Sequence, residues 1–244
     1  MAGPETELIP LAGSSVPVRW HVSDRARRIS MRPDPQNVGI LITLPRGRPR
    51  PDGLRLLTEH AAWVRRVLAS TQPALRFLPG ETFTLDGSPV RIVARPDARG
   101  GAGLDGNTLW VSGRSEFHTR RIMTFLRALA GRSLPARTRE QATRTGLVPA
   151  RIDIRDPAGR WGSCSAERRL MLSWRLILAP VHVRDYVIMH ELAHLKHLNH
   201  SPAFWTLVDL ITPDRRRAEH WLKTEGRSLM NAGRGAAAMT DNGA

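Results

Sequence analysis

His190 and His194 stand four residues apart, with Glu191 beside the first, in the run His190-Glu191-Leu192-Ala193-His194. On an α-helix this spacing puts the two imidazoles one turn and about 40° apart on one face, close enough to share a metal ion. In an H-E-x-x-H helix the imidazoles bind Zn²⁺, and the glutamate takes a proton from the water that the metal has acidified. The pattern alone also arises by chance, as two scattered histidines on a solvated helix. Here Val187, Ile188, Leu192, Leu195 and Leu198 interleave with the histidines. That predicts a packed helix, and buried imidazoles need partners.

A catalytic zinc takes three protein ligands and keeps its fourth position for water. His200 is the expected third ligand, giving H-E-x-x-H-x₅-H. Asn199 tolerates the left-handed conformation that ends a helix, and Ser201-Pro202 starts a new one, so the turn between them can bring His200 back to the metal. His197 competes, because it shares the helical face at i+7. A straight helix separates positions 190 and 197 by about 10 Å along its axis, too far for one tetrahedral ion. Glu219, further on, is a lesser alternative.

The elements that must position these residues follow from periodicity. Val16 to Trp20 and Ile29 to Met31 read as short strands, and Val38 to Leu44 is a β-branched run. From Pro51 to Ala69 the apolar residues Leu54, Leu57, Ala61, Val64 and Leu68 recur at helical spacing. Two hairpins are expected around Asp86-Gly87 and Asp105-Gly106. Ser115 suits the N-cap of a helix ending near Gly131, and a second helix is expected from Pro135 to Gly146. Strands at Ile152-Asp153-Ile154 and Leu170 to Trp174 precede three helices, near 181–198, 202–210 and 213–226. Ser201-Pro202 and Thr212-Pro213 each place an N-cap before a proline. No internal repeat is evident.

The expected fold class is α+β, with a β-rich N-terminal half followed by a helical catalytic half that holds a small sheet. The expected organisation is a flexible leader over 1–14, a β-rich region with one helix over 15–112, the metal-dependent hydrolase domain over 113–230, and a disordered tail over 231–244.

A chain of 244 residues can bury a substantial core. The single cysteine, Cys164, excludes an intramolecular disulfide, and no stretch approaches the roughly 18 apolar residues of a membrane span. With no signal-peptide pattern at its start, the chain is expected to be cytoplasmic, without a membrane partner. Its formal charge is +15, and only Lys196 and Lys223 among the 37 basic residues are lysine, which leaves 35 arginines. Such charge favours polyanion or nucleic-acid affinity. An arginine skew with many Ala, Gly and Pro is equally what a biased coding composition produces.

The runs Arg160-Trp161-Gly162-Ser163-Cys164-Ser165 and Ser173-Trp174-Arg175-Leu176-Ile177-Leu178-Ala179-Pro180 precede the histidine helix, and Asn199-His200-Ser201 and Phe204-Trp205 follow it. Together they resemble the YgjP-like metallopeptidase family of bacteria, closely from Arg160 to Leu222 and more loosely before, through Arg27-Arg28-Ile29 and Trp63-Val64-Arg65-Arg66. The spacing of the third histidine also resembles SprT-like and WLM-type proteases. The resemblance implies a zincin-like catalytic half, zinc at His190, His194 and His200, and Glu191 as general base. It implies no particular substrate. The metzincin pattern has glycine where His197 stands, so that class is not carried over.

Around this centre, the Arg160 to Ser165 stretch is expected to lead into a strand whose edge aligns an extended substrate. Trp161 reads as core, Cys164 as inert packing, and Phe204 and Trp205 as the contact of the next helix with the metal helix. Tyr186, one turn before His190, is a candidate donor to the transition state, weighed against simple packing. Arg160 and Arg175 are candidates to hold a substrate carboxylate or phosphate. The leading expectation is metal-assisted hydrolysis of a peptide or protein. Alternatives are a metal-dependent nucleotide phosphohydrolase and a nucleic-acid-associated zinc protein.

Overall fold

The structure, a computed structural model, describes residues 6–11, 13–34, 39–70 and 75–233. It is α+β and divides into two compact units, Met1–Ala74 and Leu75–Ala244.

In the first unit, β1 (Thr6–Leu11), β2 (Ser14–Ser23), β3 (Ser30–Pro33) and β4 (Ile40–Pro45) form a sheet in the order β1-β2-β4-β3, with β2 and β4 parallel. Alternate residues Val16, Val18 and Trp20 of β2 and Ile40, Ile42 and Leu44 of β4 share a core with Leu57 and Val64. The helix expected over 51–69 is two helices, α1 (Arg50–Glu59) and α2 (Ala61–Ser70), which part at the non-helical His60. A Cβ at Gly53 would stand 2.7 Å from the Trp20 ring, so α1 can approach the sheet only with glycine there. The flexible leader expected over 1–14 is corrected where it is described. Thr6–Leu11 pairs antiparallel with β2, and Trp20 Nε1 donates to Glu7 at 3.0 Å.

The second unit opens with β5 (Thr82–Leu85), β6 (Ser88–Ala94), β7 (Ala102–Asp105) and β8 (Thr108–Val111), in the order β5-β6-β8-β7 with β6 and β8 parallel. Both hairpins predicted here form. This strand order repeats that of the first sheet, although no repeat is visible in the residues. The expected boundary near 112 is also corrected. Phe83, Val90, Ile92, Leu109 and Val111 belong to the same core as the helices that follow, so this sheet goes with the catalytic half.

Helix α3 (His118–Thr145) runs unbroken where two helices were expected. Pro135 removes only the N–H that would bond the Gly131 carbonyl, while Ile122, Leu126, Ala130, Leu134 and Thr138 stay buried along one face. Burial of that stripe on both sides of the proline outweighs one missing bond. A three-stranded sheet follows, from β9 (Arg151–Arg155), β10 (Gly162–Cys164) and β11 (Arg169–Ser173). Its order is β10-β11-β9; β10 is antiparallel to β11, β9 is parallel to it, and β10 is an edge strand.

After a 3₁₀ segment over Trp174–Leu178 come α4 (Val181–Ala193), α5 (Pro202–Ile211), α6 (Arg215–Thr224) and α7 (Gly226–Met230). The tail expected to be disordered from 231 is described as far as Gly233, and Ala232 is buried; residues 234–244 lie outside the described ones. No helix among the described residues is long and apolar enough to cross a membrane.

Candidate metal centre

Helix α4 is held by burial of Val183, Tyr186, Val187, Ile188, Met189 and Leu192, as the interleaved apolar residues predict. It ends earlier than its periodicity suggests. The last helical residue is Ala193 and His194 is the cap, whereas a helix to Leu198 was expected. The unwound turn brings the His197 carbonyl back to accept a hydrogen bond from His194 Nδ1 at 2.9 Å. This fixes the ring and leaves Nε2 of His194 for a metal, an orientation commonly set by the second nitrogen of a metal-binding histidine. His197 thus meets His194 through its backbone, and it is not among the three clustered histidines.

His200 arrives from the loop as predicted. Ser201 caps α5, its hydroxyl accepting from the Phe204 N–H at 3.4 Å, with Pro202 at the first helical position. The Nε2 atoms of His190 and His200 are 3.2 Å apart. Two nitrogens bound at about 2.0–2.1 Å in a tetrahedral shell stand about 3.3 Å apart, so the spacing suits a shared ion. One nitrogen from each of His190, His194 and His200 falls within 4.8 Å of the others. Phe204, fully buried, stacks on His194 with centroids 4.4 Å apart, and Trp205 stacks on His200 at 5.4 Å. Burial, with the neighbouring His194 and His200, depresses His190 to about 4, and burial also lowers His194. Both rings are neutral near pH 7, as ligation requires.

Glu191 is 6% exposed, and its carboxyl has no hydrogen bond to a described residue. Burial pushes its carboxyl up to about 8, with the positive charge of Arg160 acting in the other direction. Burial thus moves this carboxyl toward neutral pH, the range to which proton-transferring groups are tuned. Gly162 of β10 lies directly against it. Cys164 is half-buried, and burial followed by the nearby Glu191 raises its thiol to about 11, which agrees with inert packing and not with a nucleophile.

The remaining candidates separate. Arg160 is exposed and acts on Glu191 by charge, so it stays beside the centre. Tyr186 is buried, its hydroxyl donating to Glu219 at 3.0 Å; its ring lies edge-on to His190, with centroids 5.8 Å apart. It therefore supports the helix face and is already committed to an acceptor. Glu219 accepts from Tyr186 and, at 2.8 Å, from Arg215 Nε, and it is not one of the three clustered ligands. The role expected of Arg175 is corrected. Its side chain is fully buried, Nε and Nη2 donate to the Ala232 carbonyl at 3.2 and 2.9 Å, and Nη1 donates to Asp156. No substrate can reach a guanidinium enclosed in this way.

Sequence reasoning missed Gly162 and Arg215. A glycine inside a strand signals close approach of another group, and that cue was available. Arg215 lies 4.1 Å over the Trp205 ring, on the residue that stacks on His200; nothing local in the residues marks it.

The chain matches the family described as YgjP-like, metallopeptidase domain, over residues 27–225. No curated protein matches it. Among solved structures it is similar to the metallopeptidase zymogen of Pyrococcus abyssi abylysin, at 21% identity and a TM-score of 0.34, over 38% of this chain and 96% of that one. With a family match over residues 27–225, a span that includes the three converging imidazoles, the chain belongs to the YgjP-like metallopeptidase family.

Proposed function

We propose that this protein is a zinc-dependent peptidase, in which His190, His194 and His200 hold the metal and Glu191 is the general base. The observation that carries the reading is the convergence of three imidazole nitrogens, two of them from the helix that also carries the buried Glu191. A set of three imidazoles suits zinc and leaves room for a water or substrate oxygen. When bound, zinc supplies Lewis acidity, acidifying water and polarising a carbonyl. The protein's own part is proton traffic and alignment. Glu191 accepts a proton at its carboxylate and returns it to the leaving amine. The free edge of β10 offers main-chain groups to an extended peptide, and exposed Arg160 is placed to meet a substrate carboxylate.

Glu191→Gln should retain zinc by metal analysis and lose about 10²–10⁴-fold in turnover, the usual contribution of a positioned base. Full turnover in that variant would overturn the mechanism. The substrate assay uses peptide libraries and casein beside nucleoside triphosphates. Phosphate release without peptide cleavage would replace the peptide bond by a phosphoester as the target.

A further inference from the structure

Gly162 opens β10, and its backbone is ordinary strand with no positive φ. The chain therefore does not need glycine there for conformation. What it needs is space. A Cβ built at this position would lie 2.6 Å from both Cγ and Oε1 of Glu191 and 2.8 Å from its Cδ. These three are the closest heavy atoms, and all belong to one residue. Glu191 is nearly buried, which gives its carboxyl little freedom to retreat.

The register supports the same picture. Side chains alternate along a strand, and positions 162 and 164 of β10 share a side. Arg160 and Cys164 each interact electrostatically with Glu191, and Gly162 between them is in contact with it. The partners of Gly162 and Cys164 across the ladder, Leu172 and Leu170, are fully buried, so this is the inward side of the sheet.

We propose that Gly162 is a positioning residue: by lacking a side chain it forms the recess in the edge strand that fixes the Glu191 carboxyl beside the three histidines. This rests on the reading of Glu191 as the base. A side chain at 162 meets the Glu191 carboxyl first and must push it out of its place.

The test is a double-mutant cycle between Gly162→Ala and Glu191→Ala on the zinc-loaded full chain, with zinc affinity read by chelator competition and thermal stability measured alongside. In the native background Gly162→Ala should lower kcat about 10²-fold, the order expected for misplacing a reacting group by about 1 Å. KM and zinc affinity should be unchanged. With Glu191→Ala already present, Gly162→Ala should cost no further activity, because the group it displaces is gone. Any loss of thermal stability from Gly162→Ala should shrink in that background, since the colliding atoms are absent. If Gly162→Ala folds only when Glu191 is alanine, the collision is confirmed; failure to fold in both backgrounds overturns the assignment. Native kcat in Gly162→Ala, or losses that simply add, overturns it while leaving Glu191 as base. Full turnover in Glu191→Gln would instead remove the base reading itself.

Discussion

Arg175 and Glu191 are both charged-type residues nearly sealed inside the second unit, at 0% and 6% exposure, yet their surroundings are built on opposite terms. Around Arg175 every guanidinium nitrogen donates to an oxygen, and the Asp156 carboxylate is shared with Arg127 at 2.6 Å. Around Glu191 and the histidines the demands are left open. The carboxyl has no hydrogen bond to a described residue, and the Nδ1 of His190 is buried without one. Buried polar groups are costly unless satisfied. The Glu191 carboxyl and the three converging imidazole nitrogens are the groups that a substrate or an ion would engage. The closed cluster holds the chain together, and the open one is where chemistry is expected.

Removing one member of the closed cluster should therefore strike stability alone. Arg175→Met would leave the Ala232 carbonyl unbonded and strip Asp156 of its buried partner, at a cost of about 3–5 kcal/mol, read from denaturant unfolding. Zinc affinity per folded molecule should be unchanged. A variant as stable as the native chain would erase the distinction drawn here.

The open cluster should respond the other way. Trp205→Leu removes the ring that stacks on His200 and is itself covered by Arg215. Zinc affinity should drop about 10–100-fold, the usual effect of losing a group that orients a ligand, with little loss of stability. Chelator competition measures it, and native affinity would show that His200 needs no support.

The smallest effect concerns pH. Partial burial works against the charged form of Asp156, but the Arg175 hydrogen bond and charge, with those of Arg127, outweigh it and hold the carboxyl at about 2 against an ordinary 3.8. A folded-state value below the unfolded one means that the unfolded chain takes up the proton first on acidification. This part of the stability is complete above about pH 4 and fades as pH falls toward 2. Asp156→Asn should flatten that portion of the acid-stability curve, and an unchanged slope would refute it.

Much of the centre was legible in the residues because its signals are local. The i, i+4 spacing of His190 and His194 is a property of any helix, and apolar residues between them required that helix to pack. Ser201-Pro202 starts a helix through its own hydroxyl and ring, which is why the return of His200 could be foreseen. The alternation along β2 and β4 and the turns at Asp86-Gly87 and Asp105-Gly106 are equally local.

Other features were decided by contacts between residues far apart in the chain. Arg160 and Arg175 are the same residue type fifteen positions apart; only the fold exposes one beside Glu191 and closes the other around Ala232, 57 residues further on. Helix α3 continues through Pro135 because a stripe buried on both sides of it holds the helix together, and α4 stops at Ala193 where its turn unwinds to let the His197 carbonyl reach His194. Gly162 shows the division most plainly. The residues alone led to the expectation of Glu191 as base on a metal helix, but only the tertiary structure showed that Glu191 occupies the volume of a side chain that a neighbouring strand leaves out. Helical spacing is repeated every turn and can be read from a few residues; excluded volume between two segments exists only once they have been packed.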